Sequence, residues 1–317
     1  LDDFQLWREF AHQQPFVLKG QTIRMSLAGA QAKTALYFDA EDKPYLPENG
    51  APTSHILKPN IHGCLPGTVF TEYLSMKLAR EVLGEDEVPE VDVWQNCYRI
   101  RRYDRPGNHR TLRRLHQEDF CLALGRMPAR KYESEEHPEG LLAACFALLD
   151  QLGEQDLVIA PAIERLRLLR QVIVNILLHN PDAHLKNYAL VLQTNGKISV
   201  SPLYDSLCTY GLNFASTDVS WGQSAGPAAH TRNLSLWIGG ANTVDQISQQ
   251  DWARFAVECG FTAAFVRRMV REVAVTLEVA LPLVVDEVLS RYPGAVHAAR
   301  AVREGVAQQI GMVLERS

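Results

Sequence analysis

Apolar positions along the chain follow two periods, and the changeover between them divides it. The segment Thr34 to Asp39 reads as a short strand bounded by the polar turn Ala40 to Lys43. His55-Ile56-Leu57-Lys58 reads as a second strand, cut off by Pro59, with Pro44 to Pro52 as loop between them. From Val69 to Leu83 the apolar residues Phe70, Tyr73, Leu74 and Leu78 recur with a helical period that Gly84 ends. Val91 to Trp94 and Cys97 to Tyr103 predict a hairpin turning at Gln95-Asn96. After Pro106-Gly107 the period becomes helical, in Leu141 to Leu152 and Ile163 to His179. Tyr188 to Leu192 and Lys197 to Val200 predict another hairpin around Asn195-Gly196, and helical stretches fill most of Ser248 to Ile310. The pattern is a small strand-rich lobe with one helix, residues 1–105, followed by a larger helical lobe, residues 106–317, without internal repeats.

With 317 residues, 46% of them hydrophobic and 22% charged, two lobes can each bury a core. A net charge of −5, from 37 acids against 32 bases, argues against a chain whose main task is coating nucleic acid. The longest apolar runs, Leu141 to Leu149 and Val279 to Val285, are too short to span a bilayer, and no basic-then-apolar signal opens the sequence. The expectation is a cytoplasmic protein with no membrane association. Six scattered cysteines (Cys64, Cys97, Cys121, Cys145, Cys208, Cys259) without a Cys-x-x-Cys pair favour reduced core thiols over a metal site or disulfides.

The densest candidate chemistry is His179-Asn180-Pro181-Asp182-Ala183-His184-Leu185-Lys186-Asn187, followed by Pro202-Leu203-Tyr204-Asp205. Phosphoryl transfer needs a carboxylate to accept the proton of the attacking hydroxyl, and an amide and a second carboxylate to hold Mg²⁺ against the phosphates. Asp182, Asn187 and Asp205 occur in that order, and the step of five from Asp182 to Asn187 is the Asp-to-Asn step of the protein-kinase catalytic loop. A polar turn between a helix and a hairpin is the plainer reading of these residues alone. Pro181 is expected to end the preceding helix, and Lys186 could neutralise a transferring phosphate. His184 more naturally packs or hydrogen-bonds within the loop than acts as a base. The pair His179 and His184 lacks helical spacing and a third soft ligand, which argues against a metal site.

Upstream, the small residues of Ser26-Leu27-Ala28-Gly29-Ala30-Gln31-Ala32-Lys33 would let backbone N–H groups approach phosphate oxygens, although the run lacks the Gly-Lys-Ser/Thr of a Walker A loop. Lys58 closes a short apolar strand about where a kinase strand lysine reaches the α- and β-phosphates, and Glu72 on the next helix is its natural partner. Solvated surface roles are the plainer reading of both.

Taken together, these residues resemble the HipA family of serine/threonine kinases, the toxin half of bacterial toxin–antitoxin pairs. The likeness runs through Ser26 to Leu36, His55 to Lys58, Arg102-Tyr103-Asp104-Arg105, Gln117-Glu118-Asp119-Phe120-Cys121, Lys131-Tyr132-Glu133-Ser134, Asp182 to Asn187 and Leu203-Tyr204-Asp205. It implies an α+β, bilobal protein-kinase-like fold that uses ATP and Mg²⁺. Asp182 would be the catalytic base, and Asn187 and Asp205 the metal ligands. Lys58 and the loop Ala28, Gly29, Ala30, Gln31, Ala32 and Lys33 would hold phosphates. Arg101, Tyr103, His184, Lys186 and Tyr204 complete the implied nucleotide set. Ser26 matches the loop serine that such kinases autophosphorylate, a step that would pull the loop from the nucleotide site and silence the enzyme. The implied partners are a DNA-binding antitoxin and an aminoacyl-tRNA synthetase as substrate, whose phosphorylation stalls translation and leads to persistence.

The sequence departs from the family pattern at three places. Only 25 residues precede the Ser26 loop, where the family's toxins carry a whole subdomain, so that part was removed or is a separate small protein. Arg101 stands where well-studied members have Glu at the nucleotide hinge. No basic stretch marks Gly239 to Gln250, so little direct DNA contact is expected. Two other readings remain open: a catalytically weak partner of a DNA-binding antitoxin in transcriptional autoregulation, and a small-molecule kinase on the same plan.

Overall fold

The structure is a computed structural model that describes residues 33–61, 64–65, 67–108, 111–135, 140–214 and 232–314. The loop residues Ser26, Ala28, Gly29, Ala30, Gln31 and Ala32 lie outside them. In the first lobe, β1 (Thr34–Phe38), β2 (Pro44–Tyr45), β3 (His55–Lys58), β5 (Val91–Trp94) and β6 (Cys97–Arg101) form an antiparallel sheet in the order β2-β1-β3-β6-β5, while β4 (Cys64–Leu65) stands apart. The β5–β6 connection is the expected two-residue turn. Gln95 and Asn96 both sit at positive φ, 45° and 63°, as a turn matched to strand twist requires. Two details differ from the sequence reading. Pro44–Tyr45 adds an edge strand inside the expected loop, and β6 stops at Arg101 because Arg102 N–H turns away to the Ser54 carbonyl at 2.9 Å.

Side chains alternate across this sheet, and the alternation places the site. Leu36, Phe38, Leu57 and Cys97 pack together on one face, with Trp94 edge-on to Phe38 at 5.3 Å. Lys58 follows Leu57 and therefore takes the opposite face, where it is paired in register with Tyr98. That face is covered by α1 (Thr68–Leu83), a helix that starts after Gly67 and ends at Gly84. Residues Tyr73, Leu74, Met76 and Leu78 of α1 enter a core shared with the helical lobe, so buried apolar packing runs without a break past residue 105.

The second lobe opens with β7 (His116–Asp119) and the short α2 (Phe120–Ala123), followed by α3 (Leu141–Glu154) and α4 (Pro161–Leu177). Pro161 at the first position of α4 has no N–H to leave unsatisfied there. Strands β8 (Ala189–Leu192) and β9 (Ile198–Val200) form the expected hairpin, with Gly196 at φ 78° in its turn, and β7 joins it as a third strand. Strand β10 (Asn213–Phe214) pairs with β4, and β11 (Asn233–Ile238) pairs with β12 (Ala241–Thr243). Helices α5 (Gln249–Glu258), α6 (Ala263–Arg291) and α7 (Val296–Leu314) complete the lobe, with α6 and α7 both packed on α1.

Helix α4 stops at Leu177, short of Pro181, which corrects the expected role of that proline. His179 adopts a left-handed φ of 54°, its N–H donates to Ile176 O at 3.0 Å, and Asn180 N–H reaches back to Asn175 O at 2.9 Å. This paired bonding is a Schellman cap with histidine where glycine is usual. The conformation costs about 1–2 kcal/mol for a residue with a Cβ. Packing offsets it: the His179 ring is buried, stands edge-on to Tyr210 at 5.2 Å and lies with Nδ1 3.3 Å from Gln309 Nε2.

Tyr210 is in turn clasped by α7 at Gly305, where an added Cβ would meet Tyr210 Cβ at 2.5 Å. Gly305→Ala is therefore expected to displace Tyr210 from behind His179 and to cost about 1–3 kcal/mol. Thermal melting checks this, and an unchanged midpoint would contradict the close approach.

Candidate active site

Lys58 is almost fully buried between β3 and α1, and its charge is met from two sides. Its Nζ donates to Glu72 Oε1 at 2.6 Å and to Asp205 Oδ1. The Tyr98 ring lies beneath it at 5.6 Å. Burial works against the lysine's charge, but the carboxylates of Asp205 and Glu72 outweigh it and hold the pKa above the ordinary lysine range. Asp205 is pushed well below the carboxylate range: burial opposes ionisation, and Lys58 and then Lys33 overcome it. Glu72, more deeply buried, is raised because desolvation exceeds the pull of Lys58.

Asp205 follows β9 at φ 59°, a left-handed conformation that Asp tolerates better than most residues. Its second oxygen, Oδ2, accepts from Asn187 Nδ2 at 2.9 Å. Asn187 also caps its own turn, with Oδ1 accepting the His184 N–H at 3.1 Å. The half-buried Lys33 lies in the field of Asp205, Lys58 and Glu72, and burial lowers its pKa. Lys33, Lys58, Glu72, Asn187 and Asp205 are thus brought to one place by β1, β3, α1 and the two ends of the β8–β9 hairpin.

Asp182 lies on the loop that leaves the α4 cap, within the field of Asp205. Burial raises its pKa to about 7, Lys131 opposes the rise and Asp205 adds to it. Ser235 Oγ of β11 is 3.5 Å from Asp182 Oδ1, and the Ser235 N–H donates to Pro181 O at 2.8 Å. Asn175 in the last turn of α4 steadies both acidic segments, since its Oδ1 accepts from Asn180 Nδ2 at 2.8 Å and from Ser206 Oγ at 2.9 Å. Asn175, Ser235, Asp119 and Lys131 escaped the sequence reading as site residues. Their roles depend on partners far along the chain, and the family-like segments 117–121 and 131–134 are the only local signal for Asp119 and Lys131.

The other expected residues are placed unequally. Tyr103 and Tyr204 pack ring to ring at 5.6 Å, and Tyr204 OH donates to Lys186 O at 2.8 Å. Lys186 Nζ is held by Asp119 Oδ2 at 2.5 Å, which leaves it a loop anchor more than a free cation. His184 stands edge-on to Tyr132 at 5.4 Å, and burial lowers its pKa to about 4, so the ring is neutral at pH 7. Arg101 points outward, with Nη2 on the Gly107 carbonyl at 3.1 Å, and does not join the cluster. Each Asp205 oxygen and Asn187 Oδ1 already accepts one hydrogen bond but keeps a further lone pair, and such oxygen donors suit a hard cation that draws its remaining ligands from phosphate and water. Among the described residues no group of three His, Cys, Asp or Glu forms a complete protein cage.

A buried Lys–Glu pair beneath a small sheet, opposite a loop bearing Asp and Asn and followed by a second Asp, defines a kinase-like bilobal fold. The chain belongs to the family of the HipA-like C-terminal domain, whose profile it matches over residues 25–281. It is 32% identical over 283 residues, 88% of its length, to Y4mE of Sinorhizobium fredii, which is named provisionally as a kinase. It is 30% identical over 198 residues to the serine/threonine-protein kinase toxin HipA of Shewanella oneidensis. It spans 61% and 42% of those two proteins. All of it superposes on 72% of the chain of the Shewanella HipA solved with HipB and operator DNA, with a TM-score of 0.72 at 20% identity.

Lys58→Met strands two carboxylates around a buried site and is expected to destabilise the protein by about 3–5 kcal/mol, of which Lys58→Met with Glu72→Leu recovers at least half. Denaturant unfolding reads both. Asp182 supplies a pH signature as well. Its raised pKa means that ionising it costs the folded state little below pH 4, progressively more as pH rises, and the full amount above about 7. The stability gain of Asp182→Asn over the parent should therefore grow between pH 5 and pH 8 by roughly 1–2 kcal/mol, allowing for partial solvent access. A pH-independent difference would refute the raised carboxyl.

Proposed function

We propose that the chain is the catalytic part of an ATP- and Mg²⁺-dependent serine/threonine protein kinase acting as a bacterial toxin. The observation that carries this reading is Asp182, with a pKa raised to about 7, lying in the field of the Asp205 that joins the Lys58–Glu72–Asn187 cluster. A base with a pKa near neutrality is about half ionised at pH 7, and that ionised fraction can accept a hydroxyl proton. Residues 1–105 would hold the nucleotide and residues 106–317 the catalytic loop. Lys58, shared between Glu72 and Asp205, is placed to turn toward phosphate oxygens, with Lys33 beside it. Asn187 and Asp205 would hold Mg²⁺, which neutralises phosphate charge when bound. Tyr103 and Tyr204 offer a ring pair against which a base can lie.

The toxin role, a HipB-like DNA-binding antitoxin as partner, silencing through Ser26 and an aminoacyl-tRNA synthetase as substrate rest on family likeness. The name of the Shewanella relative and the composition of its solved complex support the first two. No helix among the described residues is long and apolar enough to cross a membrane; a cytoplasmic location is proposed on family likeness.

The test is intact mass of the dephosphorylated chain after incubation with Mg²⁺-ATP. The parent should gain one phosphate mapping to Ser26, and Asp182→Asn and Asp205→Asn should gain none. Ser26→Ala should stay active on an added protein acceptor while the parent falls silent. A chain that binds ATP but transfers phosphate neither to itself nor to an acceptor would sink the kinase reading and favour the non-catalytic partner of an antitoxin.

A further inference from the structure

One lysine near the site forms no ion pair with the carboxylates of the nucleotide cluster among the described residues, although it lies in the field of Asp205. Lys33 and Lys58 face Asp205, and Lys186 is committed to Asp119. Lys131 follows the 3₁₀ turn Pro128–Arg130, and its charge is the strongest that acts on Asp182. Its placement is fixed by bonds on both flanks. The Lys131 carbonyl accepts the Leu185 N–H at 3.2 Å, within the Asp182–Asn187 loop. Two residues on, the Glu133 N–H donates to Ser235 O at 2.8 Å, and the Glu133 carboxylate accepts from Gly140 N–H at 2.7 Å and from Trp237 N–H at 3.0 Å. Ser235 in turn holds Pro181 and approaches Asp182.

Segment 131–133 is therefore bolted to the catalytic loop directly and again through β11. The ammonium of Lys131 lies 4.7 Å from the centroid of the Tyr132 ring, and that ring stands against His184. No carboxylate of the described residues forms an ion pair with Lys131, and the side chain is half-buried. A cation held without an ion-pair partner beside the base is poised for charge that arrives later.

Building on the kinase reading, we propose that Lys131 is a catalytic residue whose ammonium meets the transferred phosphoryl group next to Asp182. In the step, the substrate hydroxyl oxygen bonds to the γ-phosphorus while the bond from that phosphorus to the bridging oxygen breaks. The electron pair leaves on ADP, and the hydroxyl proton passes to Asp182. Lys131 keeps its own proton throughout and donates N–H to the phosphoryl oxygens that carry the charge. It also favours the ionised form of Asp182, because the attraction between the two acts on both. The groups facing Asp182 are Lys131 and Tyr132 from this segment, Asp205 beyond β9 and Ser235 on β11.

Lys131→Met keeps the apolar stem against Tyr132, and Lys131→Arg keeps the charge. ADP formation from Mg²⁺-ATP with casein as acceptor, measured on the dephosphorylated chain from pH 5.5 to 9, gives the readout. Lys131→Met should lower kcat about 100-fold with KM for ATP changed less than about threefold, and should move the acid limb of kcat/KM above the parent's. Lys131→Arg should recover about tenfold of that loss and restore the limb. An active parent with Lys131→Met equally active, with only KM raised, or with an unmoved limb would overturn the role of Lys131 alone. An inactive parent would remove the kinase reading and this proposal with it.

Discussion

The site depends on the buried charge of Lys58. An ammonium that close to the core is tolerable only with carboxylates at hydrogen-bonding distance, and the fold supplies them from α1 and from the segment after β9. Among the described residues those two elements form no other ion pair. The lysine therefore sets the spacing between the sheet, the helix and the larger lobe, and any ligand that draws it away from Asp205 must supply negative charge in return. This demand fits phosphate groups better than a neutral ligand.

The acidic loop is positioned by a different kind of restraint. Asp182 is carried between the left-handed cap at His179 and the bonds from Ser235, and Asn175 ties the segments of Asp182 and Asp205 to one helical turn. These are hydrogen bonds among buried groups, each of which would be costly to leave unmade. They fix two carboxylates that feel each other's charge, so that one is ionised deeply and the other is kept near its titration point.

Much of this was legible beforehand, and the misses have definite causes. The turn at Gln95-Asn96, the strand carrying Lys58 and the pairing with Glu72 follow from local pattern and strand alternation. The end of α4 was assigned to Pro181 because histidine gives no hint of a left-handed cap. The buried contacts with Tyr210 and Gln309 that sustain it come from distant residues. Strand β7 reads His-Gln-Glu-Asp, with no apolar alternation at all, and exists because β8 pairs with it. Lys186 drew notice by its place in the loop, yet its charge is absorbed by Asp119 at the start of α2. Burial of Asp182, which sets its titration, is a property of the whole assembly and no local pattern encodes it.

The uninterrupted core between α1 and the helices behind it has a mechanical meaning. Glu72 rides on a helix whose Tyr73, Leu74, Met76 and Leu78 are packed against the rest of the protein, and Lys77 is tethered to Glu287 at 2.5 Å. Rotating the helix outward to unlatch Glu72 would expose several large side chains at about 1.5–3 kcal/mol apiece. The helix is thus a fixed post and not a lever. Switching such a protein on or off calls for something that covers or vacates the cleft, because the hinge that a mobile helix would provide has been welded shut.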